Sequence, residues 1–283
     1  MRRRPAYLFS GSQDSVVAQE TMRALQTQLQ LLEMNVHAEF DIPAEHAWVV
    51  DNTTCSTPGK QTPAAGKTDA CGPKYGWPAA PAEPTLEPCC GPCAAGAAGS
   101  AAWWWPDVVH CDYDMSRIMF NWILGQPLLE RTRVELSNFR KFNQTMYTPS
   151  GFAAADIGMA DVGYVYVPTS CAAEPQLCRV HVDYHGSGNG YLYNGWHSAG
   201  MMLQTGSIDL AESNRLVLLF PQAGQRVLNW VANCWDFWGA ITGAQSDGKR
   251  GLQLQAVASM LSDVTALVHN AAPVSSVVRP EHR

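Results

Sequence analysis

The chain has 283 residues, enough for one large domain or two small ones. An apolar fraction of 46% with ten Trp excludes a disordered chain and points to a well-buried core. A net charge of −6, with no basic run beyond Arg2-Arg3-Arg4, argues against nucleic acid as a partner; no apolar stretch approaches the roughly 20 residues of a membrane helix.

Ala6-Tyr7-Leu8-Phe9 reads as a short buried strand ending at the turn Ser10-Gly11-Ser12. Four apolar residues after the basic start are too few for a signal peptide. Residues 16–32 follow as a helix, with Val17, Met22, Leu25, Leu29 and Leu32 spaced along one face. Residues 36–40 (VHAEF) form a second strand and residues 41–46 a loop. Strand, helix, strand in so short a span is the rhythm of a parallel α/β sheet.

From residue 52 to 105 Pro, Ala and Gly dominate, and six of the nine cysteines lie between Cys55 and Cys111. The segment reads as a loop-rich insertion ordered by disulfides. Such cysteine density suits an oxidising compartment, and the odd total leaves at least one thiol unpaired within the chain. Cys55 and Cys111 bracket the insertion as a candidate pair, while Cys71, Cys89, Cys90 and Cys93 can pair among themselves. Cys90-x-x-Cys93 beside Cys89 and Cys71 also offers thiolates to zinc, but no second well-spaced pair supports it, and no metal is assigned.

Residues 114–124 restore helical periodicity, and residues 130–161 read as a polar connector with a weak strand near residues 140–142. A second α/β block begins at Val162. Tyr164-Val165-Tyr166-Val167 is a strand, and Cys171 and Cys178 enclose a short polar loop. Residues 179–184 (RVHVDY) alternate as a strand and run into His185-Gly186-Ser187-Gly188. A helix-like stretch to Asn214, the strand 216–220 (LVLLF) and an amphipathic helix over residues 252–270 complete the chain, without internal repeats. The whole is taken as a single domain over residues 1–283.

Asp14 lies just past the C-terminal end of a buried strand, where open α/β sheets collect catalytic groups. His46 occupies a similar loop 32 residues later. An Asp and then a His, each after a strand, is how a hydrolase supplies the acid and base of its triad. The rival reading makes Asp14 a helix cap and His46 an idle loop residue. In His185-Gly186-Ser187-Gly188-Asn189-Gly190, glycines let the backbone approach a substrate and aim N–H groups at an oxyanion. A plain Gly-rich turn is the equal alternative.

At this point a resemblance becomes specific. The run Tyr7-Leu8-Phe9-Ser10-Gly11-Ser12-Gln13-Asp14-Ser15-Val16-Val17 resembles the Asp motif of extracellular polyhydroxybutyrate depolymerases, and Ile42-Pro43-Ala44-Glu45-His46-Ala47 their His motif. Five further pieces follow in the family's order. They are Cys111-Asp112-Tyr113-Asp114 with Asn121-Trp122-Ile123; Gly163-Tyr164-Val165-Tyr166-Val167-Pro168 with Cys171; His185-Gly186; Phe220-Pro221-Gln222-Ala223; and Cys234-Trp235-Asp236-Phe237-Trp238-Gly239. The likeness covers most of the chain outside residues 52–105 and 130–161.

The resemblance implies an α/β-hydrolase fold, a mostly parallel sheet with flanking helices, circularly permuted so that serine, Asp, His and oxyanion loop follow in that order. The nucleophile elbow should then precede Asp14 by many tens of residues, and only thirteen precede it here. The chain is therefore expected to be incomplete at its front. Trp196-His197-Ser198-Ala199-Gly200 is a partial G-x-S-x-G lookalike, but Trp replaces the first Gly and no firm buried strand precedes it. Ser10 and Ser12 lack the elbow pattern. The resemblance also implies a Cys171–Cys178 disulfide and a family cysteine where this chain has Ser187, which orphans Cys234.

The implied reaction is hydrolysis of poly(3-hydroxybutyrate) esters through an acyl-enzyme, with no cofactor. His46 would act as base and acid, Asp14 as its partner, and His185, Gly186 and Ser187 would form the oxyanion loop. Trp230, Trp235 and Trp238 would line a crevice for the polyester, with core packing as the alternative. Trp103-Trp104-Trp105, if exposed, would suit adsorption to polymer or a packing interface. The family implies an extracellular protein, taken as a monomer that binds neither membrane nor nucleic acid. A feruloyl or acetyl esterase of plant polysaccharides is the alternative enzyme; a non-catalytic polymer-binding remnant is the alternative outside that class.

Overall fold

The structure, a computed structural model, describes residues 3–51, 91–92, 108–187, 202, 205–224 and 233–270. The chain forms two compact units: Met1–Ala79, Thr85–Leu129 and Met201–Ser207 make the first, and Ala80–Pro84, Glu130–Gly200 and Ile208–Arg283 the second. Among the described residues no helix is long and apolar enough to cross a membrane.

In the first unit, β1 (Pro5–Phe9), α1 (Gln19–Leu31) and β2 (Asn35–Glu39) follow the expected strand–helix–strand order. The strands pair in parallel, from Pro5 opposite Asn35 to Phe9 opposite Glu39. Helix α1 starts three residues later than its apolar spacing predicts. The N–H groups of Val16 and Val17, which would open that helix, donate instead to Asp14 Oδ1 at 2.9 and 2.8 Å. At the other end Glu33 turns left-handed (φ 58°), and Met34 N–H reaches back to Leu29 O at 3.0 Å, closing the helix. Met22, Leu25 and Leu29 are half-buried as their spacing requires, whereas Leu32 lies past the helix and is exposed.

Three short strands, β3 (Trp48–Val50), β4 (Gly91–Pro92) and β5 (Val108–His110), make a second parallel sheet in the order β3-β5-β4. Helix α2 (Met115–Leu124) is capped by Asp114, whose side chain accepts from Arg117 N–H at 3.0 Å, and ends at left-handed Gly125. Its Trp122 Nε1 donates to Ala6 O at 2.9 Å, fastening α2 to β1. Val49, Val109, Met115 and Ala44 form the small core beneath these elements.

The second unit is built on a four-stranded sheet of β6 (Phe139–Asn143), β7 (Val162–Tyr166), β8 (Arg179–Val182) and β9 (Leu216–Phe220), in the order β6-β7-β9-β8. The two central strands, VGYVY and LVLLF, are buried at every residue; the edge strands are only partly buried. Pairing departs from a mostly parallel sheet: β6–β7 and β7–β9 are antiparallel, and β8–β9 is parallel. The presumed connector thus contributes an edge strand. It is tied in by buried Gln144, whose Nε2 donates to Ala160 O and Gln222 O and whose Oε1 accepts from Gln222 N–H.

Helices α3 (Thr169–Ala173), α4 (Ser207–Asn214) and α5 (Leu252–Asn270) complete this unit. Ala256, Val257 and Met260 of α5 pack in one core with Val165, Val217 and Leu219. Cys171 and Cys178 are joined by a disulfide, as the resemblance implied. Cys111 is also disulfide-bonded, and Cys234 is a buried thiol.

Candidate active site

The loops after β1 and β2 are laced by their own backbones. Ser12 N–H donates to Ile42 O at 2.8 Å and Gln13 N–H to Ala44 O at 3.2 Å. Gly11 is required where they meet: a Cβ there would stand 2.0 Å from Ala44 O. Gln19 Nε2 bridges the two strand ends, donating to Phe40 O at 2.7 Å and Ser10 O at 3.2 Å.

On this lacing the structure brings Asp14 and His46 together, with Asp14 Oδ2 at 3.0 Å from His46 Nδ1. The other carboxylate oxygen holds the Val16 and Val17 N–H groups, so it cannot rotate away without breaking two bonds. Asp14 therefore closes the turn onto Val16 and Val17 with one oxygen and holds the imidazole with the other; it does not cap α1, which begins only at Gln19 behind Ala18. The Asp14 side chain is 9% exposed and that of His46 51%. A carboxylate at Nδ1 fixes the tautomer with the proton on Nδ1, leaving Nε2 to accept. Among the described residues the His46 ring bonds Asp14 and no serine.

The sequence reading overlooked Glu45. Its Oε2 accepts from Ser15 N–H at 3.0 Å, Ser15 Oγ at 3.1 Å and His46 N–H at 3.3 Å. No local pattern signals it, because Ser15 and Glu45 are 30 residues apart.

In the second unit, His185 and Gly186 follow β8 directly. Ala223 N–H donates to His185 Nε2 at 3.0 Å, so the ring proton sits on Nδ1, which donates to Gly186 O at 2.7 Å. Burial lowers the pKa of His185, in keeping with a neutral ring. Its side chain is thus occupied in shaping the loop. Gly186 and Ser187 are exposed residues, and their backbone N–H groups meet no backbone acceptor among the described residues. Neither a positive φ nor a packed neighbour calls for glycine at 186, since an added Cβ would meet nothing within 4 Å.

Trp235 braces this loop. Its Nε1 donates to His185 O at 3.0 Å, and its ring packs against His185 (5.3 Å) and edge-on to Tyr184 (5.0 Å). Buried Asp236 organises the next turn, its carboxylate accepting from Ile241 N–H and from the N–H and Oγ of Thr242. Held out on that turn, Phe237 and Trp238 are 61% and 46% exposed, with ring centroids 4.1 Å apart. Trp235 is thus a brace and Trp238 an exposed aromatic. Trp230, Trp103-Trp104-Trp105, Ser198, Gly188 and the cysteines 55, 71, 89, 90 and 93 lie outside the described residues.

No family model matches the chain. A poly(3-hydroxybutyrate) depolymerase of Delftia acidovorans is 28% identical over 281 residues, covering 97% of this chain and 45% of that protein. A polyhydroxybutyrate depolymerase of Talaromyces funiculosus is 29% identical over 171 residues, covering 57% of this chain and 48% of that one. The chain thus spans less than half the length of either relative. Two solved structures share its fold with a TM-score of 0.61, each covering 93% of this chain and 70% of the other. One is the PHB depolymerase of Penicillium funiculosum, 22% identical; the other is a serine-to-alanine PHB depolymerase complexed with an R3HB trimer, 23% identical. Over nearly its whole length, this chain is similar to the Delftia acidovorans poly(3-hydroxybutyrate) depolymerase.

Proposed function

We propose that the chain is the Asp, His and oxyanion-loop part of a circularly permuted α/β-hydrolase that cleaves poly(3-hydroxybutyrate) esters. The observation that carries this reading is the 3.0 Å contact from Asp14 Oδ2 to His46 Nδ1, made by a carboxylate fixed at its other oxygen. His46 Nε2 takes the proton of a serine hydroxyl as Oγ attacks the ester carbonyl, and Asp14 stabilises the resulting imidazolium. The N–H groups of Gly186 and Ser187 serve as oxyanion donors. His46 returns the proton to the departing alcohol, and a water activated by the same histidine releases the hydroxyacid from the acyl-enzyme. The serine is carried by sequence that precedes Asp14 in a longer protein.

Phe237 and Trp238 offer the apolar contact that a methylated polyester presents to a protein. The bonded state of Cys171, Cys178 and Cys111 supports an extracellular, oxidising setting. The exposed aromatic pair also favours a second reading, binding of polymer without hydrolysis.

The test is clearance of a poly(3-hydroxybutyrate) film by the protein expressed with its upstream coding sequence. Replacing His46 by Ala or Asp14 by Asn should cost roughly 10³–10⁴-fold in rate. Film binding without release of hydroxyacid would support the second reading. Clearance by the 283-residue chain alone would overturn the assignment of the serine to upstream sequence, and Ser198→Ala would then be the variant to lose activity.

A further inference from the structure

We infer that Glu45 is a positioning residue for the Asp14–His46 pair: its carboxylate latches the turn that carries Asp14 to the backbone that carries His46. The latch is a property of the structure; its consequence for turnover rests on the esterase reading.

The side chain of His46 is half exposed and bonded only to Asp14 among the described residues, so burial does not hold its rotamer. Its orientation has to come from the loop beneath it. Backbone lacing between the two loops runs from Ser10 opposite Glu39 to Gln13 opposite Ala44 and stops there. Beyond that point the loops are joined through side chains. Ser15 lies inside the turn that Asp14 closes onto Val16 and Val17, and its N–H and Oγ both donate to Glu45 Oε2. The same oxygen accepts from the His46 N–H. One carboxylate oxygen therefore collects donors from the residue after Asp14 and from His46 itself.

Charge-assisted bonds of this kind are stronger than neutral ones, and a carboxylate oxygen, which only accepts, suits three converging donors. Alanine at 45 frees the turn from the histidine loop and leaves the Asp14–His46 bond to hold against solvent unaided. Glutamine keeps an acceptor oxygen in the same place, so the latch predicts rescue by Glu45→Gln.

The test uses the full 283-residue chain with isotope-labelled histidine, which needs no catalytic activity. NMR should show His46 as a single Nδ1–H tautomer with a slowly exchanging proton. Glu45→Ala should speed that exchange about tenfold, the loss of one net hydrogen bond, and mix the tautomers. Glu45→Gln should restore most of the protection. Ser15→Ala should give part of the effect, and the double variant should be no worse than Glu45→Ala alone. Unchanged tautomer and exchange in Glu45→Ala, or no rescue by Gln, overturns the latch. If alanine at 45 impairs folding, the Ser15→Ala and Glu45→Gln arms still decide. In the longer, film-clearing protein, Glu45→Ala should lower kcat about tenfold with KM unchanged. A latch seen by NMR in a protein without esterase activity would sink the enzymatic reading and leave the latch standing. Activity lost in His46→Ala but unaltered in Glu45→Ala would do the reverse.

Discussion

Asp183, at the end of β8 and two residues before the His185 ring, is a carboxyl with no ion pair or side-chain hydrogen bond among the described residues. Burial pushes its pKa up from 3.8 to about 6. That rise corresponds to about 3 kcal/mol, at about 1.4 kcal/mol per pH unit. The sign follows from which state holds the proton. Below pH 3.8 both folded and unfolded chains are protonated at this site, and there is no penalty. Between 3.8 and about 6 the unfolded chain gives up its proton first, so stability falls as pH rises; above about 6 the penalty is complete. Asp183→Asn removes the charge and should stabilise the protein at pH 7–8 by up to about 3 kcal/mol. Asp183 is only partly buried as a residue, which makes this a ceiling. At about 2–4 °C per kcal/mol, Tm should rise by several degrees at pH 8. The gain should shrink through pH 5 and vanish near pH 4. Thermal unfolding by circular dichroism at five pH values is the measurement. A Tm difference that stays constant across pH would refute the reasoning, because an altered contact shifts stability without following the proton.

Two other changes test the loops. Gly11→Ala places a Cβ where Ala44 O now lies 2.0 Å away, so the two loops must part, with an expected loss of about 1–3 kcal/mol in denaturant unfolding and weakened protection of the His46 Nδ1 proton. Ser187→Cys should form a disulfide with Cys234, a buried thiol next to the Trp235 that bonds His185 O at 3.0 Å; intact mass lower by two hydrogens, absent in a Cys234→Ser background, is the readout.

What the fold disclosed in advance follows burial. The strands LVLLF and VGYVY are buried on both faces, so an unbroken apolar run marks them without knowledge of their neighbours. Strand β6 pairs on one side only, and its residues FRKFN alternate weakly, so only its centre, residues 140–142, showed in advance as a weak strand. The strands β3 and β5 have three residues each, too few for any alternation to register. Strand direction was illegible for a different reason. Whether β7 meets β9 parallel or antiparallel depends on a partner more than fifty residues away, and nothing in either strand's composition encodes it.

The site divides along the same line. Asp14 and His46 stood out because each follows a strand, and the helix-cap alternative for Asp14 fails because α1 begins only at Gln19. A carboxylate has two acceptor oxygens, and here the turn onto Val16 and Val17 fixes the rotamer that the imidazole needs. His185 shows the opposite case. A histidine beside Gly-Ser-Gly suggests a ring in the chemistry, yet both ring nitrogens are spent on backbone groups, which leaves the backbone of the next two, exposed, residues. Burial holds this ring neutral, so protonation at acid pH opposes the fold. Two residues earlier, ionisation of Asp183 opposes it at neutral pH. The segment leading into the loop is therefore penalised from both ends of the pH range, and Asp183→Asn removes only the upper of the two penalties.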